Sequence, residues 1–210
     1  ICVGTIKELG KFNFPESTHS KVKESNLLFK KAKWVNCKEA IGDLDIKLPE
    51  DKNNLAGSKH KHLLKLIPPG DNYLFFTKER GHPKPEFKWR SRYWSFLLKL
   101  SPKEPSWTIQ ASFSNNMGPF HWKNRFLRIN EIKRIQTFPD NYKLVGDFRD
   151  QWRLIGNAVP PLMGKAIGKT LLKMYQSQAK EEVKKHLKAA TYKRENSKKV
   201  ISDSITQFRK

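Results

Sequence analysis

Apolar residues at helical spacing predict two helices in the last third of the chain. In the first, isoleucine recurs at every third position: Ile129, Ile132 and Ile135. This helix should stop before Pro139, because a residue that precedes proline avoids the helical conformation. The second helix covers 161–175 with a wider apolar stripe. Gly164 and Gly168 lie within it, four residues apart, and predict close packing against a neighbour.

The rest of the chain alternates short apolar runs with prolines and polar loops. A short helix is expected at His62–Leu66, together with a helical turn that Gly42-Asp43 ends. Strands are expected at five places: 1–5, 33–36, the aromatic end of LIPPGDNYLFF after its Pro-Pro-Gly turn, Tyr93–Leu100 and Ser106–Phe113. Phe148–Ile155 is predicted to be irregular or briefly extended. The charged residues after Tyr175 predict a solvated helix that frays into a basic tail.

Charge narrows the range of partners. The 210 residues carry 42 Lys and Arg against 20 Asp and Glu, a formal net charge of +22. Such an excess favours polyanions, namely DNA, RNA or an anionic membrane surface, with merely solvated lysines as the alternative. Nucleic acid is favoured, because the basic residues interleave with aromatic ones. No apolar run is long enough to predict a membrane span.

The two cysteines predict neither a metal site nor a disulfide framework. Cys2 and Cys37 lack the spacing of a zinc site, and Cys2 sits in an apolar run as a small core residue. A reducing, cytoplasmic setting fits this usage. The chain opens on Ile1 inside an expected strand and shows no signal peptide pattern, so we expect it to be a piece of something longer.

Two segments near the end of the chain carry the most specific pattern. The first, NRFLRINEIKRIQTFPD, places seven residues of one motif: Arg125, Leu127, Glu131, Arg134, Gln136, Phe138 and Pro139. The second, at 156–161, reads Gly-Asn-Ala-Val-Pro-Pro. In this order, the two segments resemble the last two signature motifs of the DNA cytosine-5 methyltransferases.

Upstream segments resemble the same family: ICVGT, FPESTHS, AIGDL, LIPPGDNY and PSWTIQA. In FPESTHS, Glu16 stands where proline is common. The resemblance implies an α+β target recognition domain attached to the C-terminal elements of an α/β, Rossmann-like, S-adenosylmethionine-dependent domain, a fold that is incomplete on its own. It implies an end of the catalytic domain at 1–20, a target recognition domain at 21–124, a return to the catalytic domain at 125–175 and a basic helical tail at 176–210.

The chemistry of this family needs residues that the sequence lacks. Methylation of cytosine C5 requires a thiol that adds to C6, which the family supplies from a Pro-Cys pair. It also uses a Glu-Asn-Val segment and a glycine-rich turn for the cofactor. None of the three occurs in the sequence, so no catalytic residue is assigned. The enzyme is then expected to need a missing N-terminal half or a partner subunit.

The second motif predicts a stiff strand-to-helix elbow. Pro160 is preorganised for a first helical turn, Val159 before it is pushed to an extended conformation, and Gly156-Asn157 supplies a turn that tolerates positive φ. The resemblance implies that Asn157, Ala158 and Val159 face the methionine part of S-adenosylmethionine. An ordinary helix-starting turn without a ligand is the alternative.

Four motif residues are expected to have structural roles: Glu131, Arg134, Gln136 and Pro160. Arg128 stands where the family has the Thr or Ser of a capping box, and its side chain cannot accept hydrogen bonds. This leaves Asn130 as the alternative cap of a helix that starts slightly later. Arg125 and Arg134 are expected to pair with carboxylates, with direct DNA contact as the alternative.

The predicted DNA contacts are Lys88, Arg90, Arg92, Thr108 and Arg125. Arginines take phosphates or read guanine in the major groove. Thr108 matches a family threonine that contacts the backbone near the flipped nucleotide, and a strand threonine without a ligand is the alternative. Trp89 and Trp94 are expected to pack in the core of the small domain, and His121 to anchor a loop rather than act as an acid or base.

The sequence therefore predicts the C-terminal portion or subunit of a DNA (cytosine-5-)-methyltransferase. It would recognise a specific sequence in double-stranded DNA, complete an S-adenosylmethionine pocket and serve a prokaryotic restriction-modification system. A decayed methyltransferase that only binds DNA is the alternative. An RNA-binding protein is a weaker one, because the aromatic-glycine signature of common RNA modules is absent.

Overall fold

The computed structural model describes residues 12–21, 24–26, 29–49, 56 and 58–208. Cys2 and the strand expected at 1–5 lie outside these residues. The chain divides into two compact units. One is Ser17–Met163, and the other combines the described parts of Ile1–Glu16 and Gly164–Lys210. These compact units do not coincide with the domains that the resemblance implies. The boundaries of those domains stay a prediction.

A three-stranded sheet opens the unit Ser17–Met163. Strand β3, Phe29–Lys33, lies between β1, His19–Ser20, and β2, Glu24–Asn26. It is parallel to β1 and antiparallel to β2. The strand expected at 33–36 therefore lies earlier in the chain, since Asn36 is already the N-cap of the next helix.

Helix α1, Cys37–Ile41, is short and well capped. The Asn36 side chain accepts from the Glu39 backbone N–H at 2.8 Å, and the Glu39 carboxylate accepts from the Asn36 N–H at 2.9 Å. This reciprocal pair satisfies two helix-end donors. The helix ends at Ile41, as the Gly42-Asp43 pair predicted, and a 3₁₀ turn at Gly42–Leu44 follows directly.

The aromatic segment after the Pro-Pro-Gly turn is a 3₁₀ helix and not the expected strand. Helix α2, Lys61–Leu66, is confirmed, but Tyr73–Phe76 winds into a turn. The cause is Asn72, whose side chain accepts from the Leu74 N–H at 3.0 Å and donates to the Trp94 carbonyl at 2.8 Å. This winding directs aromatic side chains towards a buried core that other segments share. The core includes Leu64, Tyr73, Phe76, Phe96 and Phe120.

The strands expected at Tyr93–Leu100 and Ser106–Phe113 do not form. Only isolated bridges join Phe96 to Met117 and Lys99 to Phe120 in the described structure. Leu97 has a φ of 51°, which breaks the extended backbone inside the first segment. Beside the second segment a helix occupies the place of a partner strand, since the Trp152 indole N–H donates to the Gln110 carbonyl at 2.8 Å.

Two helices return the chain to this core. Helix α3, Ile129–Ile135, confirms the isoleucine spacing and ends before Pro139. Helix α4, Phe148–Asn157, replaces the irregular segment expected there. Its N-cap is Asp147, which accepts from the Asp150 N–H at 2.8 Å. The two helices share a second core with α1: Cys37, Ile41, Leu127, Ile132, Trp152 and Ile155.

Helix α5, Pro161–Phe208, is far longer than the 15 residues predicted from its apolar stripe. The basic segment expected to fray continues as regular helix, and its described side chains are largely exposed, as predicted. Among the described residues, a Cβ built at Gly168 meets nothing within 4 Å, so the close packing predicted there stays a prediction. No helix among the described residues is apolar and long enough to cross a membrane.

Candidate functional site

A buried ion pair fixes the start of α3. Both oxygens of the Glu131 carboxylate accept from the Arg125 guanidinium, at 2.7 and 2.8 Å. Glu131 is 0% and Arg125 3% exposed. Glu131 also accepts from the Arg128 backbone N–H at 2.8 Å, which is half of a capping box. The helix thus begins at Ile129 after Arg128, and the later start capped by Asn130 was wrong.

The arginines of this segment hold the loop at 43–46, and Arg134 also binds Asp140. Arg128 donates to the carbonyls of Leu44 and Ile46, each at 2.8 Å. Arg134 contacts the Asp43 carboxylate at 2.5 Å and that of Asp140 at 2.7 Å. Hydrogen bonds from Arg134 lower the pKa of both aspartates. We call Arg125, Arg128 and Arg134 the arginine clamp.

His121 anchors the loop that leads into the clamp. Its ring is fully buried and its Nδ1 accepts from the Lys123 backbone N–H at 3.1 Å, so Nε2 carries the proton. Nε2 lies 3.6 Å from Asp45. Burial first, and the charge of Arg125 second, lower the pKa of His121 to about 3. The ring is therefore neutral, which fits the predicted anchor and not an acid or base.

The two motifs meet at one cavity of about 780 Å³, which we call the motif cavity. The end of α3 joins the α4–α5 elbow through two contacts. The Leu162 backbone N–H donates to Thr137 Oγ1 at 3.1 Å, and the Gln136 side chain donates to the Ile155 carbonyl at 3.4 Å. The motif residues that line the cavity are Arg134, Gln136, Thr137, Phe138, Pro139, Gly156, Ala158 and Pro160.

The elbow joins two helices and not a strand to a helix. Gly156 and Asn157 are helical, so positive φ does not explain the glycine. A Cβ at Gly156 would lie 2.5 Å from the Ala111 Cα and 2.7 Å from its backbone nitrogen. Glycine is therefore required because α4 crosses another backbone without room for a side chain. Ala158 then leaves the helix with extended angles, φ −76° and ψ 145°.

The three predicted cofactor residues do not share one cavity. Ala158 lines the motif cavity, and so does Pro160. Asn157 lines a different, more polar cavity with Arg149 and Arg153. Val159 is more than half exposed. Sequence reasoning also missed Trp107 and Leu162 as lining residues of the motif cavity, although Leu162 directly follows the second motif.

The predicted DNA contacts other than Arg125 are exposed, and they lie among exposed aromatic residues. Lys88, Arg90 and Arg92 are all exposed. Trp89 and Trp94 are also exposed, so the expectation that they pack in the core was wrong. The Trp94 ring lies 5.5 Å from that of Trp107, next to the exposed Thr108. We give the name aromatic-basic surface to the basic and aromatic members of this group: Lys88, Trp89, Arg90, Arg92, Tyr93, Trp94 and Trp107. Thr108 borders both this surface and the motif cavity.

Arg125 does not belong to that surface. Its guanidinium is buried against Glu131 and lies 3.5 Å from Asp45. This geometry supports the structural role left open for Arg125 and not a DNA contact. No group of His, Cys, Asp or Glu side chains in the described ranges is arranged to hold a metal.

Cys37 is a buried thiol. Its side chain is 1% exposed inside the second core, and burial raises its pKa to about 11. A thiol in this state is neither accessible nor ionised at neutral pH, and a reactive cysteine needs both properties. Among the described residues, therefore, no cysteine can act as a nucleophile.

The two motifs thus converge on the motif cavity, and Thr108 joins that cavity to the aromatic-basic surface. The chain belongs to the C-5 cytosine-specific DNA methylases, since the model of that family matches residues 1–173. It is 40% identical over 173 residues to the Type II methyltransferase M.SacI of Streptomyces achromogenes, covering 77% of this chain and 44% of that protein.

Further relatives agree on the class. Type II methyltransferase M.BbvI of Brevibacillus brevis is 31% identical over 169 residues, covering 78% of this chain and 41% of that protein. DNA (cytosine-5)-methyltransferase 1 of Mus musculus is 39% identical over 67 residues, covering 32% of this chain and 4% of that protein. This chain spans less than half the length of these relatives.

Proposed function

We propose that this chain forms the C-terminal portion of a DNA (cytosine-5-)-methyltransferase that transfers a methyl group from S-adenosylmethionine to C5 of cytosine in duplex DNA. The observation that carries the proposal is the convergence of both motifs on the motif cavity. Two segments separated in sequence build one wall there, and an aromatic wall residue, Trp107, faces the same space.

In this proposal, the motif cavity supplies one wall of the cofactor pocket. Ala158 and Pro160 stand where the methionine part of S-adenosylmethionine would lie. The thiol that adds to C6 comes from polypeptide outside these 210 residues, either an N-terminal half or a partner subunit. Support comes from Cys37, which is buried and held as the neutral thiol. The cofactor roles of Asn157 and Val159 stay predictions.

The aromatic-basic surface takes the DNA. Lys88, Arg90 and Arg92 provide charge for phosphates or for guanine, and the exposed tryptophans offer planes on which an unstacked base packs. Thr108 lies between this surface and the motif cavity, where a flipped nucleotide would have to pass. We place the enzyme in a prokaryotic restriction-modification system, in the cytoplasm, because several relatives are named Type II methyltransferases.

The test is methyl transfer by the completed enzyme. The chain is combined with a polypeptide that supplies the rest of the family's length, and incorporation of labelled methyl into duplex DNA is measured. We expect incorporation above background that depends on both polypeptides. DNA binding with background incorporation, while both polypeptides are folded and bound to each other, would instead support a DNA-binding module without catalysis.

A pair of substitutions tests the cofactor wall. Ala158→Trp fills the motif cavity and should weaken S-adenosylmethionine binding by the completed enzyme, with DNA binding retained. Val145→Trp is the control, because the same side chain is added at an exposed position outside the predicted cofactor residues. Equal cofactor affinity in the two variants would contradict the placement. Asn157→Ala tests the remaining prediction, which expects cofactor affinity to fall more than DNA affinity.

A further inference from the structure

Six lysines of α5 form one basic face, which we call the lysine face. They recur at intervals of four or seven residues, and all are exposed: Lys165, Lys169, Lys173, Lys180, Lys184 and Lys188. At about 100° per residue, these intervals keep the six side chains within about 140° of the helix circumference. Three of them lie past residue 173, where the match to the family ends.

The lysine face lies on continuous helix, and its charge is not neutralised by the described residues. Regular helix runs through the whole interval as part of Pro161–Phe208. In the part of the chain that the structure describes, none of the six amino groups pairs with a carboxylate. Glu181 lies about 20° beyond one edge of the face and Glu182 about 100° beyond the other on the helix circumference. The six charges are therefore available to an external anion.

We propose that the lysine face binds the phosphate backbone of duplex DNA without regard to sequence, as a contact separate from the aromatic-basic surface. From Lys165 to Lys188 the helix extends about 35 Å, close to the 34–36 Å of one turn of B-DNA. Lysine is a point charge suited to phosphates and carries no base readout by itself. The inference rests on the proposed function only in taking duplex DNA as the polyanion.

A membrane surface fits the helix less well. A helix that lies in a membrane interface needs a continuous apolar side. The exposed apolar residues of this segment include Leu171 and Tyr175, and Glu182 projects between them on the helix circumference. A membrane would have to bury that carboxylate, which is costly without a partner. Duplex DNA requires no burial of this side.

The test measures how binding to a short duplex of random sequence depends on salt. In the lysine-face variant, Lys173, Lys180, Lys184 and Lys188 are all changed to Gln. Each lost phosphate contact lowers the slope of log K against log salt by about 0.9 for B-DNA, so the slope should fall by about 3 to 4. Changing the same four residues to Arg keeps the charge and should keep the slope.

A neighbouring pair supplies the matched control. Lys184→Gln removes a charge from the lysine face, whereas Lys185→Gln removes the same charge about 100° away. Only the first should lower the slope by about one. An unchanged slope in the four-lysine variant, with helix content retained by circular dichroism, would overturn the inference. So would equal effects of the two single changes, or tighter binding to anionic vesicles than to the duplex.

These measurements separate the inference from the proposed function. Binding to a random duplex needs neither cofactor nor the missing polypeptide. If methyl transfer fails while the lysine-face variant still lowers the salt slope, the proposed function is rejected and the DNA contact of the lysine face is kept. If methyl transfer succeeds while the variant leaves the slope unchanged, the DNA contact is rejected and the proposed function is kept.

Discussion

Removing the Glu131 carboxylate should lower the free energy of unfolding by far more than the loss of an exposed helix cap would. Glu131→Ala removes both hydrogen bonds to the Arg125 guanidinium and the acceptor for the Arg128 N–H. The buried guanidinium keeps its hydrogen bond to the Phe126 carbonyl at 2.9 Å, and the Asp45 carboxylate lies 3.5 Å away. A buried charge left without its partner costs much more than a lost surface contact.

The expected loss is about 3–5 kcal/mol of unfolding free energy, the cost of breaking a buried ion pair from one side. About 1 kcal/mol of this belongs to the lost cap. Glu131→Gln keeps an oxygen for the Arg128 N–H but loses the charge, so it should recover only that smaller part. Since domains are stable by about 5–15 kcal/mol in total, the variant should lose a large fraction of its stability.

Urea unfolding followed by tryptophan fluorescence measures the effect. At a slope of about 2 kcal/mol/M, the midpoint of Glu131→Ala should fall by about 2 M. Glu39→Ala is the matched control. Glu39 occupies the same capping position in α1, but its side chain is exposed and forms no ion pair with a buried arginine among the described residues. It should cost about 1 kcal/mol at most.

The double change Arg125→Met with Glu131→Leu separates pairing from packing. Replacing a buried pair with apolar side chains leaves no unpaired charge, so the double variant should be more stable than Glu131→Ala. Equal losses in Glu131→Ala and Glu39→Ala would refute the reasoning. A double variant less stable than the sum of its single changes would also refute it.

Three further outcomes are expected. Gly156→Ala should destabilise the chain by about 1–3 kcal/mol through its clash with the Ala111 backbone, while Gly168→Ala, which meets nothing within 4 Å in the described ranges, should not destabilise it. Burial lowers the pKa of Lys99 from 10.5 to about 8. The folded chain then holds fewer protons than the unfolded chain between these values, so stability should rise with pH across that window and Lys99→Met should abolish the rise. Arg134→Gln should raise the pKa of Asp43 and Asp140 towards ordinary values in an NMR titration, because Arg134 lowers both.

Helical spacing in the sequence predicted the helices whose formation depends on contacts between neighbouring residues. The isoleucines of α3 predicted that helix with its end before Pro139, and α2 was found within one residue. Helix α4 was missed, although Phe148, Trp152 and Ile155 repeat at helical spacing after the capping residue Asp147.

Strand predictions failed where tertiary contacts decide the backbone. Aromatic and β-branched residues at 93–100 and 106–113 fit a pleated sheet in isolation. In the structure, Asn72 holds the Trp94 carbonyl and Trp152 holds the Gln110 carbonyl, so side chains take hydrogen bonds that a ladder would have used. The exposed tryptophans Trp89, Trp94 and Trp107 were unpredictable for a related reason, since composition does not reveal which aromatic side chains a core leaves outside.

The second motif was correctly singled out, but the stiffness of its prolines explains only part of its geometry. A rigid elbow keeps its own angle and yet can point anywhere unless both flanks are fixed. Here, Gly156 presses α4 against the Ala111 backbone on one side, and Thr137 accepts the Leu162 N–H on the other. Ala158 stands between these two fixed points and faces the motif cavity. The glycine therefore acts through backbone proximity, and the direction of the wall depends on the first motif as much as on the second.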